Sequence, residues 1–163
     1  MGIQDLLRAG DVKRWTIVRT VVQQSIAEHT FNVVMIARAI AKECDIDDEY
    51  VIKYALEHDL DEIRTGDIPS PTKITMASEG THVEYRGVNK PAQHGYPHAI
   101  VKGADLIEAC WFITENAVGR HAKKVEKYMW TKLDEFMGST FPEVREAMML
   151  VSNQIFEQEF MIT

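Results

Sequence analysis

Apolar residues in this chain recur at spacings of three and four along most of its length, the period of a helix with one buried face. Runs that alternate apolar with polar residues, the mark of a half-buried strand, are almost absent. The pattern predicts an all-α fold, a compact bundle of six or seven helices. At 163 residues the chain is long enough to enclose a core, and one domain spanning 1–163 is expected.

The helix boundaries are marked by particular residues. Ile3, Leu6 and Leu7 make a short first helix that Gly10 stops. Ser25-Ile26-Ala27-Glu28 is a capping box, in which the hydroxyl and the carboxylate satisfy backbone donors at a helix start. The helix it opens is expected to run to about Lys42, with Val33, Val34, Ala37 and Ile40 facing inward. Asp47 or Asp48 caps a third, through Val51, Ile52, Ala55 and Leu56, and a further turn runs to Thr65 and ends at Gly66. Pro69 and Pro71 are expected to break any further helix, and residues 72–95 show no sustained period. The stretch at about 66–96 is therefore expected to be an irregular, functional loop. Periodicity returns near Pro97 and reaches Val118, where Gly119 suits a stop. Another helix follows at roughly 121–137, and the last starts at Thr140-Phe141-Pro142-Glu143 with the threonine as cap.

The composition, 45% hydrophobic and 26% charged, is that of an ordinary water-soluble domain. A net charge of −7 argues against nucleic-acid binding through a broad basic surface, but leaves room for a small anion held by local cations. Cys44 and Cys110 suggest neither a disulfide framework nor a CxxC metal pair. Met1 leads into polar sequence, and no apolar run approaches the roughly 18 to 20 residues of a membrane span. A cytoplasmic location without a membrane partner is expected.

The segment YALEHDLDEIRTGDIPSP, residues 54–71, crowds carboxylates around one histidine where a helix should stop. Such crowding is unfavourable unless something positive sits there. His58 ends an apolar stripe and Asp59 adjoins it. His29 lies in the first turn of its helix, followed by apolar residues. Asp105 sits among Ile100, Val101, Ala104, Leu106, Ile107 and Ala109, where an unpaired acid is penalised. Taken singly, each has an ordinary explanation: a satisfied core histidine, or an aspartate paired with Lys102 or an arginine. Taken together, H…HD…D spread over three helices is a candidate divalent-metal site. Nitrogen and oxygen donors without thiolates suit Mn, Co, Fe, Zn or Mg. Glu62 follows His58 by four residues and Asp59 by three, so it shares their helical face.

With these residues in view, the chain resembles the HD-domain phosphohydrolase superfamily. The segments RW, S-x-x-E-H-T, HDxxExxTGDxPSPxK and VKGAD further resemble small 5′-deoxynucleotidases and compact phage enzymes that hydrolyse dATP. The resemblance implies one divalent metal ion per subunit on His29, His58, Asp59 and Asp105, with Glu62 as general acid or base. It implies that Asp67 accepts a hydrogen bond from the sugar 3′-hydroxyl and that Arg14, Arg19, Lys73 and Lys102 contact phosphate. Trp15 would pack against deoxyribose, and Ile17 and Pro71 would shape an apolar slot for adenine. The implied activity is dATP triphosphohydrolysis, with dADP or dAMP as further substrates. A broad 5′-deoxynucleotidase and a non-catalytic nucleotide sensor are the alternatives. Oligomers are typical of the resembled families, so a homo-oligomer, dimer or hexamer, is expected. Eight methionines and an apolar C-terminal helix suit such an interface. Glu79, His82, Glu84 and His94 fit no motif, and Glu57 and Asp61 are expected to face solvent.

Overall fold

The computed structural model describes residues 2–81 and 94–157. In chain order the elements are α1 (Ile3–Leu6), a 3-10 turn (Leu7–Gly10), α2 (Ile26–Glu43), α3 (Asp48–Glu57) and α4 (Glu62–Thr65). Then come α5 (Ser70–Ser78), α6 (Gly95–Asn116), α7 (Gly119–Ser139) and α8 (Pro142–Phe156). The fold is an all-α bundle. Among the described residues there is no sheet, only isolated bridges pairing Lys13 with Ser25 and Thr20 with Ala117.

The helix at the centre is α6, which packs against α2, α3, α7 and α8. It is apolar around most of its circumference, as a helix enclosed on several sides must be. Ile100, Ala104 and Ile107 of α6 meet Val33, Ala37 and Ile40 of α2, Val51 and Ala55 of α3, Leu133 of α7 and Met148 of α8 in one core. Each fully buried Ile, Leu or Met contributes about 1.5–3 kcal/mol relative to exposure. Gly103 leaves room for α8 against α6: a Cβ there would lie 2.6 Å from Met148 Sδ.

The Ser25 capping box forms as expected, with the hydroxyl accepting from Glu28 N–H at 3.2 Å and Glu28 accepting from Ser25 N–H at 2.7 Å. Asp47 caps α3 by accepting from Glu49 N–H. Three boundaries differ from expectation. Residues 70–78 are helical, because Pro69 occupies the N-cap and Pro71 the first turn, where the missing N–H would have no helical partner anyway. Gly119 opens α7, its φ of +87° accommodating a sharp corner three residues after α6 ends. The cap of α8 is Phe141 rather than Thr140, without a side-chain hydrogen bond. Asp61 is buried and Glu57 half-buried, so neither is the fully solvent-facing carboxylate expected. His82 and Glu84 lie outside the described residues.

Residues 12–25 cross the top of the bundle as a loop fastened at two places. Ile26 N–H donates to Val12 O and Arg14 N–H to Gln24 O, closing the base of the loop. Val21 N–H donates to Asn116 O, and Val118 N–H to Arg19 O, tying the loop to the corner between α6 and α7. This loop carries Arg14, Trp15 and Ile17.

Candidate metal centre and active-site cleft

Three elements bring the His-Asp residues together. The first turn of α2 supplies His29, the end of α3 supplies His58 and Asp59, and the middle of α6 supplies Asp105. One ligand atom each from His29, His58 and Asp59 lies within 4.8 Å of the others, an arrangement that could hold a metal ion. Asp105 Oδ1 joins them, 3.4 Å from His29 Nε2.

Both imidazoles have one nitrogen committed elsewhere. His29 Nδ1 is 2.6 Å from Glu108 Oε2, and His58 Nδ1 is 2.6 Å from the Ala55 carbonyl. Each acceptor requires a proton on Nδ1, which leaves Nε2 as the nitrogen that takes up a cation, either a metal ion or a second proton. Both Nε2 atoms are buried and lack a hydrogen-bond partner among the described residues. Two orphaned imidazole nitrogens facing Asp59 and Asp105 form a donor set suited to a borderline divalent cation.

The electrostatics point the same way. Burial and Arg14 both act to lower the pKa of His29, yet the approach of Asp105, Asp59 and Glu108 takes it up to about 10. The two aspartates come only to 3.4 and 3.5 Å and lack hydrogen-bond geometry, so their influence on Nε2 is mainly that of charge. Burial acts to raise Asp59, but His58 and His29 hold it below the usual carboxylate range. Asp105 is likewise held low against burial, chiefly by Lys102 at 2.8 Å and by His29. This is concentrated negative charge that a cation would neutralise.

The cluster opens into a cleft of about 590 Å³. Asp59, Glu62, Asp105 and Lys102 line it next to the cluster, with Arg14, Trp15 and Ile17 from the fastened loop and Asp67, Pro71 and Lys73 from the segment after α4. Trp15 has a backbone φ of +60°, which costs a bulky residue about 1–3 kcal/mol. Its N–H donates to Asp67 at 3.3 Å, its indole N–H to Gln24 at 3.3 Å, and its ring stacks on Phe112 with centroids 5.9 Å apart. Arg14 reaches Asp59 at 3.5 Å while its buried Nε has no partner among the described residues. Glu62 accepts from Lys73 at 2.8 Å. Burial, reinforced by Asp59, outweighs that lysine and takes the Glu62 pKa up to about 7.

Of the residues singled out in the sequence, Arg19 stands apart: it does not line this cleft, and its side chain is exposed. The reverse also occurs. His121, Tyr128 and Lys132 of α7 form a third side that the sequence did not signal, because on an amphipathic helix they read as surface residues. Glu108 was missed as well. It follows Asp105 by three residues on the same apolar helix, so the two acids share one face.

A family model for the HD domain matches residues 7–90. The chain belongs to the HD-domain family, and its paired His-Asp site and bundle make it a metal-dependent phosphohydrolase of that family. Among its curated relatives, a dATP triphosphohydrolase of Salmonella phage PMBT28 is 28% identical across 90% of this chain and 84% of its own. The dATP triphosphohydrolase of cyanophage S-2L is 33% identical over 78% of each. A 5′-deoxynucleotidase of Cronobacter sakazakii is 33% identical over 50% of this chain and 43% of its own. The solved structure of the cyanophage S-2L HD phosphohydrolase, bound to dA and one catalytic Zn2+ ion, superposes with a TM-score of 0.76 at 26% identity. That match covers 97% of this chain and 98% of the other. The fold, the enzyme class and a single divalent metal on His and Asp residues thus agree with the sequence reading. Among the described residues, no helix is long and apolar enough to cross a membrane.

Proposed function

We propose that this chain is a dATP triphosphohydrolase that releases deoxyadenosine and triphosphate. One observation carries the reading: the His-Asp cluster opens into a cleft walled by Trp15 and lined by Arg14, Lys73 and Lys102. The phage relatives and the dA-bound structure support it.

His29, His58, Asp59 and Asp105 would hold the metal. A divalent cation in such a site lowers the pKa of a bound water and polarises a phosphoryl oxygen. Arg14, Lys73 and Lys102 neutralise the oxygens of the phosphate chain. Water adds to the α-phosphorus, the bond from phosphorus to O5′ breaks, and triphosphate departs with the new oxygen. Glu62 takes the proton that the water loses and can return it to O5′, completing the deoxyadenosine hydroxyl. A carboxyl with a pKa of about 7 is suited to both transfers. Asp67 accepts from the sugar 3′-hydroxyl. The Trp15 ring leaves little room beside the 2′-position, and Ile17 and Pro71 border the base. Arg19 contributes to phosphate binding only if its exposed side chain swings toward the cleft.

The relationship to bacterial 5′-deoxynucleotidases favours a second reading, hydrolysis of deoxynucleoside monophosphates. Both readings are separated by a panel of deoxy- and ribonucleoside mono- and triphosphates, assayed with Mn, Co, Mg and Zn. Intact triphosphate from dATP is expected. Phosphate released from several dNMPs, with dATP untouched, selects the second reading. Tight binding without turnover selects a nucleotide sensor.

A further inference from the structure

The best-shielded acid in the described residues is Glu108, which is 0% exposed and does not line the cleft. A buried carboxylate is costly unless its acceptor positions are filled. Here they are filled by particular partners. Oε2 faces His29 Nδ1 at 2.6 Å, while Oε1 accepts from Asn32 Nδ2 at 3.1 Å and from Gln24 Nε2. Gln24 is itself buried, and its Oε1 accepts from the Trp15 indole N–H.

We propose that Glu108 and Gln24 are a positioning pair, Glu108 orienting His29 toward the metal and Gln24 extending the same network to hold Trp15 in the substrate wall. The inference rests on the assignment of His29 and Trp15 made above.

The direction of each hydrogen bond follows from chemistry. An ionised carboxylate only accepts, so Gln24 must turn its NH2 group toward Glu108. Its carbonyl oxygen then faces the indole N–H, which only donates. On the other side, His29 must carry its proton on Nδ1, which frees Nε2 for the metal. One buried charge therefore sets a histidine tautomer and, through one amide, the position of a tryptophan ring. Trp15 needs such support because its left-handed backbone is intrinsically unfavourable. Asp67 and Phe112 hold other parts of the same residue.

Glu108→Gln keeps the side-chain volume but can direct an NH2 at His29, which moves the imidazole proton to Nε2. Co(II) binding to the whole chain, followed by visible absorption, should weaken by about 10–100-fold, the range typical for losing an outer-shell partner. Excess Co(II) should restore most of the lost turnover. Gln24→Leu leaves the Glu108–His29 contact in place, so Co(II) affinity should stay within about threefold of the parent. Its KM for the nucleotide should rise about tenfold with kcat little changed. Wild-type Co(II) affinity in Glu108→Gln would overturn the metal half, and an unchanged KM in Gln24→Leu would overturn the other. If Glu108→Gln fails to fold, Asn32→Leu takes its place. That change removes only one donor to Glu108, and loss of Co(II) affinity without loss of helicity is then the supporting result. Failure of the parent protein itself to bind Co(II) would instead reject the metal reading.

Discussion

Glu62 is placed between opposing influences: burial and Asp59 favour its neutral form, and Lys73 at 2.8 Å favours its charge. Replacing it with Gln should lower kcat by about 10²–10⁴-fold while Co(II) affinity persists, since general acid–base groups contribute on that scale. Its titration also bears on stability. A carboxyl whose pKa rises from 4.5 to about 7 on folding binds its proton more tightly in the native state. Native stability therefore falls as pH rises from about 4.5 through about 7. With chelator present throughout, Glu62→Gln should gain stability relative to the parent between pH 5 and pH 8 in urea titrations. The gain should be on the order of 2 kcal/mol, reduced by the loss of the Lys73 pair. Asp67 is also predicted to do more than make its proposed sugar contact, since it accepts the Trp15 N–H. Asp67→Ala should raise KM and also cost about 1 kcal/mol in thermal unfolding, whereas Asp67→Asn, which can still accept that bond, should spare stability.

At the level of elements, the positions of helix starts were legible where a side chain makes the cap. Ser25 and Asp47 both stand where polar capping chemistry predicts, and Ser25→Ala should cost about 1 kcal/mol of stability by calorimetry. The missed helix α5 shows the opposite case. Pro69 and Pro71 are breakers inside a helix but are tolerated at its entrance, and only the path of the chain after Gly66 decides which. Gly119 was ambiguous for a related reason: a left-handed glycine can follow one helix or begin the next. Packing against a neighbour leaves still less trace in a sequence. Gly103 could pass for a neutral helix residue, yet it seats Met148 of α8. Gly103→Ala should destabilise by about 1–2 kcal/mol despite alanine's better helix propensity, because Met148 is enclosed and cannot move away freely.

Across the whole molecule, the candidate metal donors were readable because charged groups inside apolar stripes demand a partner. His58-Asp59 and Asp105 announced themselves in this way. The wall from α7 did not, since the residues opposite a cleft are chosen by tertiary placement alone. Metal should also act as a ligand of the native state. Chelation should lower the melting temperature, and Zn, Co or Mn should restore it, with about 2.7 kcal/mol gained at a hundredfold excess over Kd. Size-exclusion chromatography with light scattering, run with and without metal, would test the expected homo-oligomer at the same time.

The two fastenings of the 12–25 loop have a consequence for the growing chain. The loop, His29 and the His58-Asp59 pair all emerge from a ribosome before the α6–α7 corner that ties the loop down at Asn116 and Val118. At roughly 5–20 residues per second, several seconds pass between synthesis of the first donors and of that corner. During that interval a nascent chain carries the early candidate ligands but has no completed wall against which to seat a nucleotide. The proposed hydrolysis is thus withheld until most of the polypeptide has been made.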